Sequence, residues 1–296
     1  MELNKILDYA IMADETIKNP DIKSGYNVNG KTYDNYLAND SFDSFVADMK
    51  TNDPIAYDMY GKGGGKELEE RKVCKNIYPP KMASFGSSSR MIYNLMKDVD
   101  GFLFEKKLTT TVGGIANLDG FMETADKCVF VEAKCREPYS HKDSIIERKY
   151  EDLYRVITKS VKTDVKCNII IVDDKKMKVK FISGNVEIYA FDIKQMISHL
   201  LGVATAFLNG DFDVKKIEFI YLLFNPQLIE LNDEKDRIHR IYEQICAECD
   251  SVNFKALFGV IVEYLQSFKK LGTDKNISDI IDSFSFKLCD QSCMNV

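Results

Sequence analysis

Two residues of opposite charge sit inside an extended segment that offers them no cheap place. The run Cys128 to Cys135, CVFVEAKC, has apolar side chains at both parities, the pattern of a strand covered on both faces, yet it holds Glu132 and Lys134. Being two apart, they share one face of that strand. Burying either charge without a partner is costly, so a fold keeps such charges mostly where they are used. A third ionisable residue, Asp119, lies between Leu118 and Gly120 in the preceding apolar segment Ile115 to Phe121. A turn over Thr124 to Lys127 sets Glu123 opposite Cys128, Phe121 opposite Phe130 and Asp119 opposite Glu132. Opposed side chains approach to ~4.5–5.5 Å at Cβ, where like charges repel. A hard divalent cation with oxygen ligands relieves that repulsion. Mg²⁺ suits one or two carboxylates completed by waters and a substrate phosphate, and Mn²⁺ can substitute. The competing assignment is a structural ion pair in which Lys134 neutralises the two acids.

The elements that must position these residues follow from periodicity. Ser87, Ser88 and Ser89 precede a 3–4 spaced stripe of Met91, Ile92, Leu95 and Met96, which predicts a helix start. The period then shortens to two, giving strands over Phe102 to Leu108, Ile115 to Phe121 and Cys128 to Cys135. Residues 143–161 have helical spacing, CNIIIVD and KVKFIS read as two further strands, and residues 192–208 form an apolar helix opening at Asp192. Lys216 to Phe224 is a long buried strand closed by Asn225-Pro226. The fold class is therefore α/β: a mixed sheet in the order helix, three strands, insertion, helix, strand, flanked by helices. The chain reads as one domain over 1–296. Residues 1–85 are a helical and loop extension, 86–224 the core with an insertion at about 136–190, and 225–296 a helical region. PDIKSGYNVNG in the extension reads as loop.

An acid on one strand followed by Glu-x-Lys on the next, within this element order, resembles the PD-(D/E)xK phosphodiesterase superfamily of restriction, repair and recombination nucleases. The stretches PPKMASFGSSSR, FEKKLTTTVGGIANLDGF and FVEAKCREPYSHK are similar to a bacterial group of restriction endonucleases. The resemblance covers roughly residues 86–224 and departs at Leu118, where the family often has proline. It implies a restriction-endonuclease-like fold and a Mg²⁺-dependent endodeoxyribonuclease. Asp119, Glu132 and the Ala133 carbonyl would hold the metal, and Lys134 would act on the attacking water or the transition state. Glu105 would complete the site or bind a second metal. Gln195, on the helix from Asp192, would reach the site with His199 one turn on. One of Glu67, Glu69 and Glu70 is a further candidate ligand, and Lys106 and Lys107 are candidate phosphate contacts.

Composition bounds these readings. The 296 residues carry 40 Lys+Arg against 46 Asp+Glu, yet residues 60–180 hold 24 basic and 18 acidic side chains between two acidic flanks. A basic middle keeps a polyanion partner open despite the net charge of −6. DNA is the expected partner, and a homodimer is compatible with double-strand cutting. No signal peptide or run of ~18 apolar residues is present, so no membrane and a cytoplasmic location are expected. Lys62 to Lys66, KGGGK, lacks the Ser/Thr of a phosphate-binding P-loop and reads as a linker. Cys246, Cys249, Cys289 and Cys293 are read as reduced thiols in preference to a zinc or iron–sulfur cluster. The rival functions are a nuclease-fold binding protein without catalysis, and a nuclease acting on structured DNA, RNA or a small phosphodiester.

Overall fold

A computed structural model describes residues 3–62, 67–136, 145–213, 216–229, 235–267 and 276–293. The amino-terminal part contains helix α1 (Leu3–Lys18), hairpin β1 (Ser24–Val28) and β2 (Lys31–Leu37), helices α2 (Asn39–Asn52) and α3 (Pro54–Lys62), and hairpin β3 (Arg71–Val73) and β4 (Asn76–Tyr78). The two hairpins correct the helix-and-loop expectation for residues 1–85. PDIKSGYNVNG is not loop throughout: Asn29 and Gly30 take φ of 49° and 73° and close a tight turn between β1 and β2. Of the KGGGK run, residues 63–66 lie outside the described residues.

The central part opens with α4 (Ser88–Met96), capped by Ser87, whose side chain accepts the Arg90 N–H at 3.3 Å. The strands β5 (Phe102–Thr110), β6 (Gly114–Glu123) and β7 (Lys127–Lys134) follow as an antiparallel meander. Next come β8 (Ile145–Glu147), α5 (Glu151–Lys159), β9 (Val165–Ile171), β10 (Lys176–Ser183) and β11 (Val186–Ile188). They form a separate four-stranded sheet with β10 between β9 on one edge and β8 and β11 on the other. Ile145 and Ile146 thus lie in a strand, where helical spacing had been read. Residues 143 and 144 lie outside the described residues. Helix α6 (Ile193–Asn209) is capped by Asp192, which accepts the Gln195 N–H at 3.0 Å, and ends at Gly210 with φ 80°.

Strand β12 (Lys216–Leu223) runs parallel to β7. Helices α7 (Lys235–Asp250), α8 (Phe254–Ser267) and α9 (Ile277–Ser283) lead to β13 (Phe284–Cys289), which pairs parallel with β12. This strand corrects the all-helical expectation for the carboxy-terminal region. The five-stranded sheet runs β13-β12-β7-β6-β5, and the protein is mixed α/β. One face of β7 (Val129, Val131, Ala133) packs with α4 and the amino-terminal elements. The other (Cys128, Phe130) packs with α6 and α8. Glu132 and Lys134 share the parity of Phe130, so they sit on the α6 face. Among the described residues no helix is long and apolar enough to cross a membrane.

Candidate active site

The site is built on a break in the sheet. Phe104 pairs with Gly120 and Lys106 with Leu118, but Glu105 and Asp119 between them do not pair. Glu105 takes φ 54°, a left-handed conformation rare outside glycine. The strand changes sides there: Phe102 and Phe104 pack on the α4 face, whereas Leu108 packs on the α6 face. The β6–β7 ladder also stops at Gly120 and Val131, one pair short of Asp119 and Glu132. The predicted register holds at Glu123–Cys128 and Phe121–Phe130, and the acids begin where it ends. Asp119 Oδ2 instead accepts the Ala133 N–H at 2.7 Å. A strained backbone persisting between two acids is the kind of feature that clusters at functional sites.

Glu132 lies at the base of the site, with 1% of its surface exposed, and is held from three sides. Its Oε1 accepts from Lys134 Nζ at 2.5 Å and from Gln195 Nε2 at 2.7 Å. His199 Nε2 lies 2.9 Å from Oε2 without hydrogen-bond geometry, so Glu132 Oε2 and both His199 nitrogens are buried without hydrogen-bond partners. The Tyr221 hydroxyl, on the β12 residue paired with Glu132, is a further such group. The predicted i, i+4 pair Gln195 and His199 therefore both meet Glu132.

The electrostatics are those of acids short of positive charge. Burial pushes the Asp119 carboxyl well above its usual range, and neighbouring Glu132 adds to the shift. Burial, then Glu67, raise Glu105 to about 7. Burial also disfavours ionised Glu132, but Lys134 and then His199 outweigh it and hold that carboxyl at about 2. The Glu105 side chain makes no hydrogen bond or ion pair among the described residues.

These groups floor an open cleft of about 990 Å³ that Glu105, Asp119, Glu132, Lys134 and Gln195 all line. Its far wall comes from the amino-terminal hairpins, with Lys31, Tyr33, Arg71 and Tyr78, and from Lys81. Of the three further acids, Glu67 reaches the cleft, 4% exposed and bonded to Lys81 Nζ at 2.7 Å, whereas Glu69 and Glu70 are exposed and do not line it. Lys106, expected as a phosphate contact, does not line the cleft; its ammonium lies 4.4 Å from the Phe121 ring centroid. Lys107 is exposed beside Glu105. Ala133 enters the site through its N–H.

The donor set fits a hard cation. It consists of carboxylate oxygens on adjacent strands, with Glu132 Oε2 buried 2.9 Å from His199 Nε2 and without a hydrogen bond. The side chains converge without closing round a point: among the described residues no three His, Cys, Asp or Glu are arranged as a metal cluster. That holds for the cysteines also. Cys246 and Cys249 sit on α7, with Cys289 ending β13 and Cys293 beyond it.

Sequence reasoning missed Arg136, which follows the motif by two residues. Its Nη1 donates to buried Asp8 Oδ2 at 2.7 Å, an oxygen that also accepts from Asn35 Nδ2 at 2.5 Å. Gly86 passes so close that a Cβ there would fall 2.0 Å from Asp8 Oδ1. This knot ties α1 and β2 to the chain leaving β7, and so sets the far wall against the floor. A turn signal existed for that wall, Asn29-Gly30, but nothing local indicated what the hairpin faces.

No protein-family model, no curated protein and no solved structure matches the chain.

Proposed function

We propose that the chain is a metal-dependent endodeoxyribonuclease of restriction-endonuclease-like fold that hydrolyses DNA phosphodiester bonds in this cleft. The observation that carries the reading is the convergence of Asp119, Glu132 and Lys134, with Glu105 and Gln195, at the floor of one open cleft. The order α4, β5–β6–β7, α6, β12 supports the fold assignment.

Asp119, Glu132 and Glu105 would hold Mg²⁺ or Mn²⁺. A divalent cation there supplies Lewis-acid polarisation of a phosphoryl oxygen and acidifies a bound water. Lys134 places an ammonium where negative charge develops on the phosphoryl group, and can orient the attacking water. Gln195 fixes the Glu132 carboxylate so that it need not reorganise. Lys31, Arg71 and Lys81 on the far wall hold flanking phosphates as positioning contacts.

The test is cleavage of a panel of plasmid, linear duplex, single-stranded DNA and RNA with Mg²⁺ or Mn²⁺, wild type against Lys134→Ala. Loss of an electrostatic donor of this kind costs about 10²–10³ in rate. Equal cleavage by the two proteins above a mock preparation would remove the mechanism. One observation favours a second reading, a nuclease-fold DNA-binding protein without catalysis: Glu132 Oε1 is already engaged by Lys134 and Gln195. Calorimetric titration with Mn²⁺ separates the two, since that protein would bind DNA but no metal at this site.

A further inference from the structure

The insertion sheet has an edge that is half closed and half open. Among the described residues strand β9 pairs only with β10. Its register places Phe181 opposite Cys167, Val179 opposite Ile169 and Met177 opposite Ile171. The outward direction is set by Cys167, whose N–H donates to Thr158 Oγ1 at 2.9 Å rather than to β10. Residues two apart point alike, so the N–H and C=O groups of Val165, Ile169 and Ile171 also face away from β10. Val165 is blocked like Cys167, its N–H donating to Thr163 Oγ1 at 3.2 Å. Ile169 and Ile171 are not: among the described residues, nothing bonds their outward groups.

The open half is also the apolar half. Ile170, Ile171 and Val172 are 54%, 45% and 56% exposed, and Ile145, across the sheet on β8, is 49% exposed. Ile170 and Ile145 both pair with Lys178, so they lie in one row on the outer face. Proteins usually blunt such an edge with a charge, a proline or a bulge, and the stretch from Asn168 to Val172 contains none of these.

We propose that β9 is a self-association edge whose occupant is β9 of a second copy of this chain, in antiparallel pairing centred on Ile170. In that register Ile169 exchanges both backbone hydrogen bonds with Ile171 of the other copy, and Ile170 meets Ile170. The pattern is self-complementary in charge. Lys166 stands at one end of the strand and the exposed Asp173 and Asp174 follow the other, so a two-fold axis brings unlike charges together at both ends. A heterologous contact would leave one edge open and propagate. Pairing of two such edges closes after one step. The short contact makes this a weak dimer, well below the area of obligate interfaces.

The test is sedimentation velocity of the full chain over a dilution series reaching about 100 µM, where a micromolar dimer is populated. The wild type is expected to shift reversibly from monomer to dimer. Ile171→Pro removes one outward donor, and Ile170→Asp puts like charges together on the axis. Each should weaken association at least about tenfold, with unchanged circular dichroism and melting. Val186→Asp, at an exposed apolar site on β11, should leave association unaltered. Hydrogen exchange gives a readout independent of folding: the Ile169 and Ile171 amides should gain protection as concentration rises, while Lys166 and Asn168 should not change. A wild type monomeric across the series overturns the inference. So does a dimer that both edge variants retain, or added protection that appears elsewhere.

Discussion

Strand β7 begins and ends in a buried carboxylate cluster, and the two ends are built to opposite plans. At its start Lys127 pairs with Glu218 of β12 at 3.0 Å, and Lys287 of β13 binds the same carboxylate. One acid meets two ammonium groups. Although burial works against ionised Glu218, Lys287 and Lys127 outweigh it and lower its pKa. No atom of Glu218 is left unpartnered among the described residues. At the far end four acids, Glu67, Glu105, Asp119 and Glu132, line the cleft with two ion-paired lysines, Lys81 on Glu67 and Lys134 on Glu132, and polar atoms without hydrogen bonds collect beneath them. The first cluster is what a structural ion pair looks like in this sheet. The second has more acids than lysines paired with them and opens on a cleft at the carboxyl ends of the parallel strands, where ligands of open α/β sheets bind.

The comparison breaks most readily at Lys134 and Glu132. Glu132→Gln and Lys134→Ala are expected to lower kcat/KM for DNA cleavage by about 10²-fold or more. Glu218→Gln should leave cleavage within about threefold, because among the described residues its carboxylate pairs with Lys127 and Lys287 and does not line the cleft. If cleavage falls equally at both ends of β7, the distinction fails. Gln195→Ala should cost less, about tenfold or somewhat more in metal affinity by calorimetry, since it removes one hydrogen bond to a ligand.

A pH series sharpens the contrast. Glu105 is raised to about 7 from an ordinary 4.5, so the folded protein keeps a proton that the unfolded chain releases. That contribution to stability is full below the unfolded value and is lost as pH rises through about 7. Metal-free protein should therefore melt lower at pH 8 than at pH 5. Added Mg²⁺ should raise the melting temperature more at pH 8, where it no longer competes with that proton. In Glu105→Gln this pH difference in the metal effect should shrink, and an unchanged difference would exclude Glu105 as the source. Glu218 gives the smallest effect. Its lowered pKa stabilises above the unfolded value and is lost as pH falls through the folded one, and its lysines are well exposed. Glu218→Gln should lower stability by about 1 kcal/mol in chemical denaturation.

The candidate site was legible where chemistry and period coincide. Glu132 and Lys134 contradict the apolar pattern of a covered strand, and the hairpin length gave the register up to Phe121–Phe130, whereas the expected Asp119–Glu132 pair lies beyond the end of the ladder and Asp119 accepts the Ala133 N–H instead. Gln195 and His199 were legible as one helical face. The break at Glu105 was not, because a left-handed residue inside a strand leaves no mark when that residue is glutamate. Strand β13 was missed because its short alternation, FSFKLC, follows a helix closely and gains its identity only by pairing with β12. Lys106 was grouped with Glu105 because it adjoins it in sequence, and adjacency does not say where a side chain points: its ammonium lies over Phe121 and it does not line the cleft.

What the sequence determined by itself is local: caps at Ser87 and Asp192, the meander, its register, and two charges placed where burial is expensive. These depend on interactions within a few residues or across one turn. What only the tertiary structure decided is which distant groups meet: Glu67 and Lys81 in the cleft, the Asp8–Arg136 knot, the far wall, and the open edge at Ile169 and Ile171. Those juxtapositions depend on packing between segments tens to more than a hundred residues apart, and no periodicity encodes which partner lies across a gap.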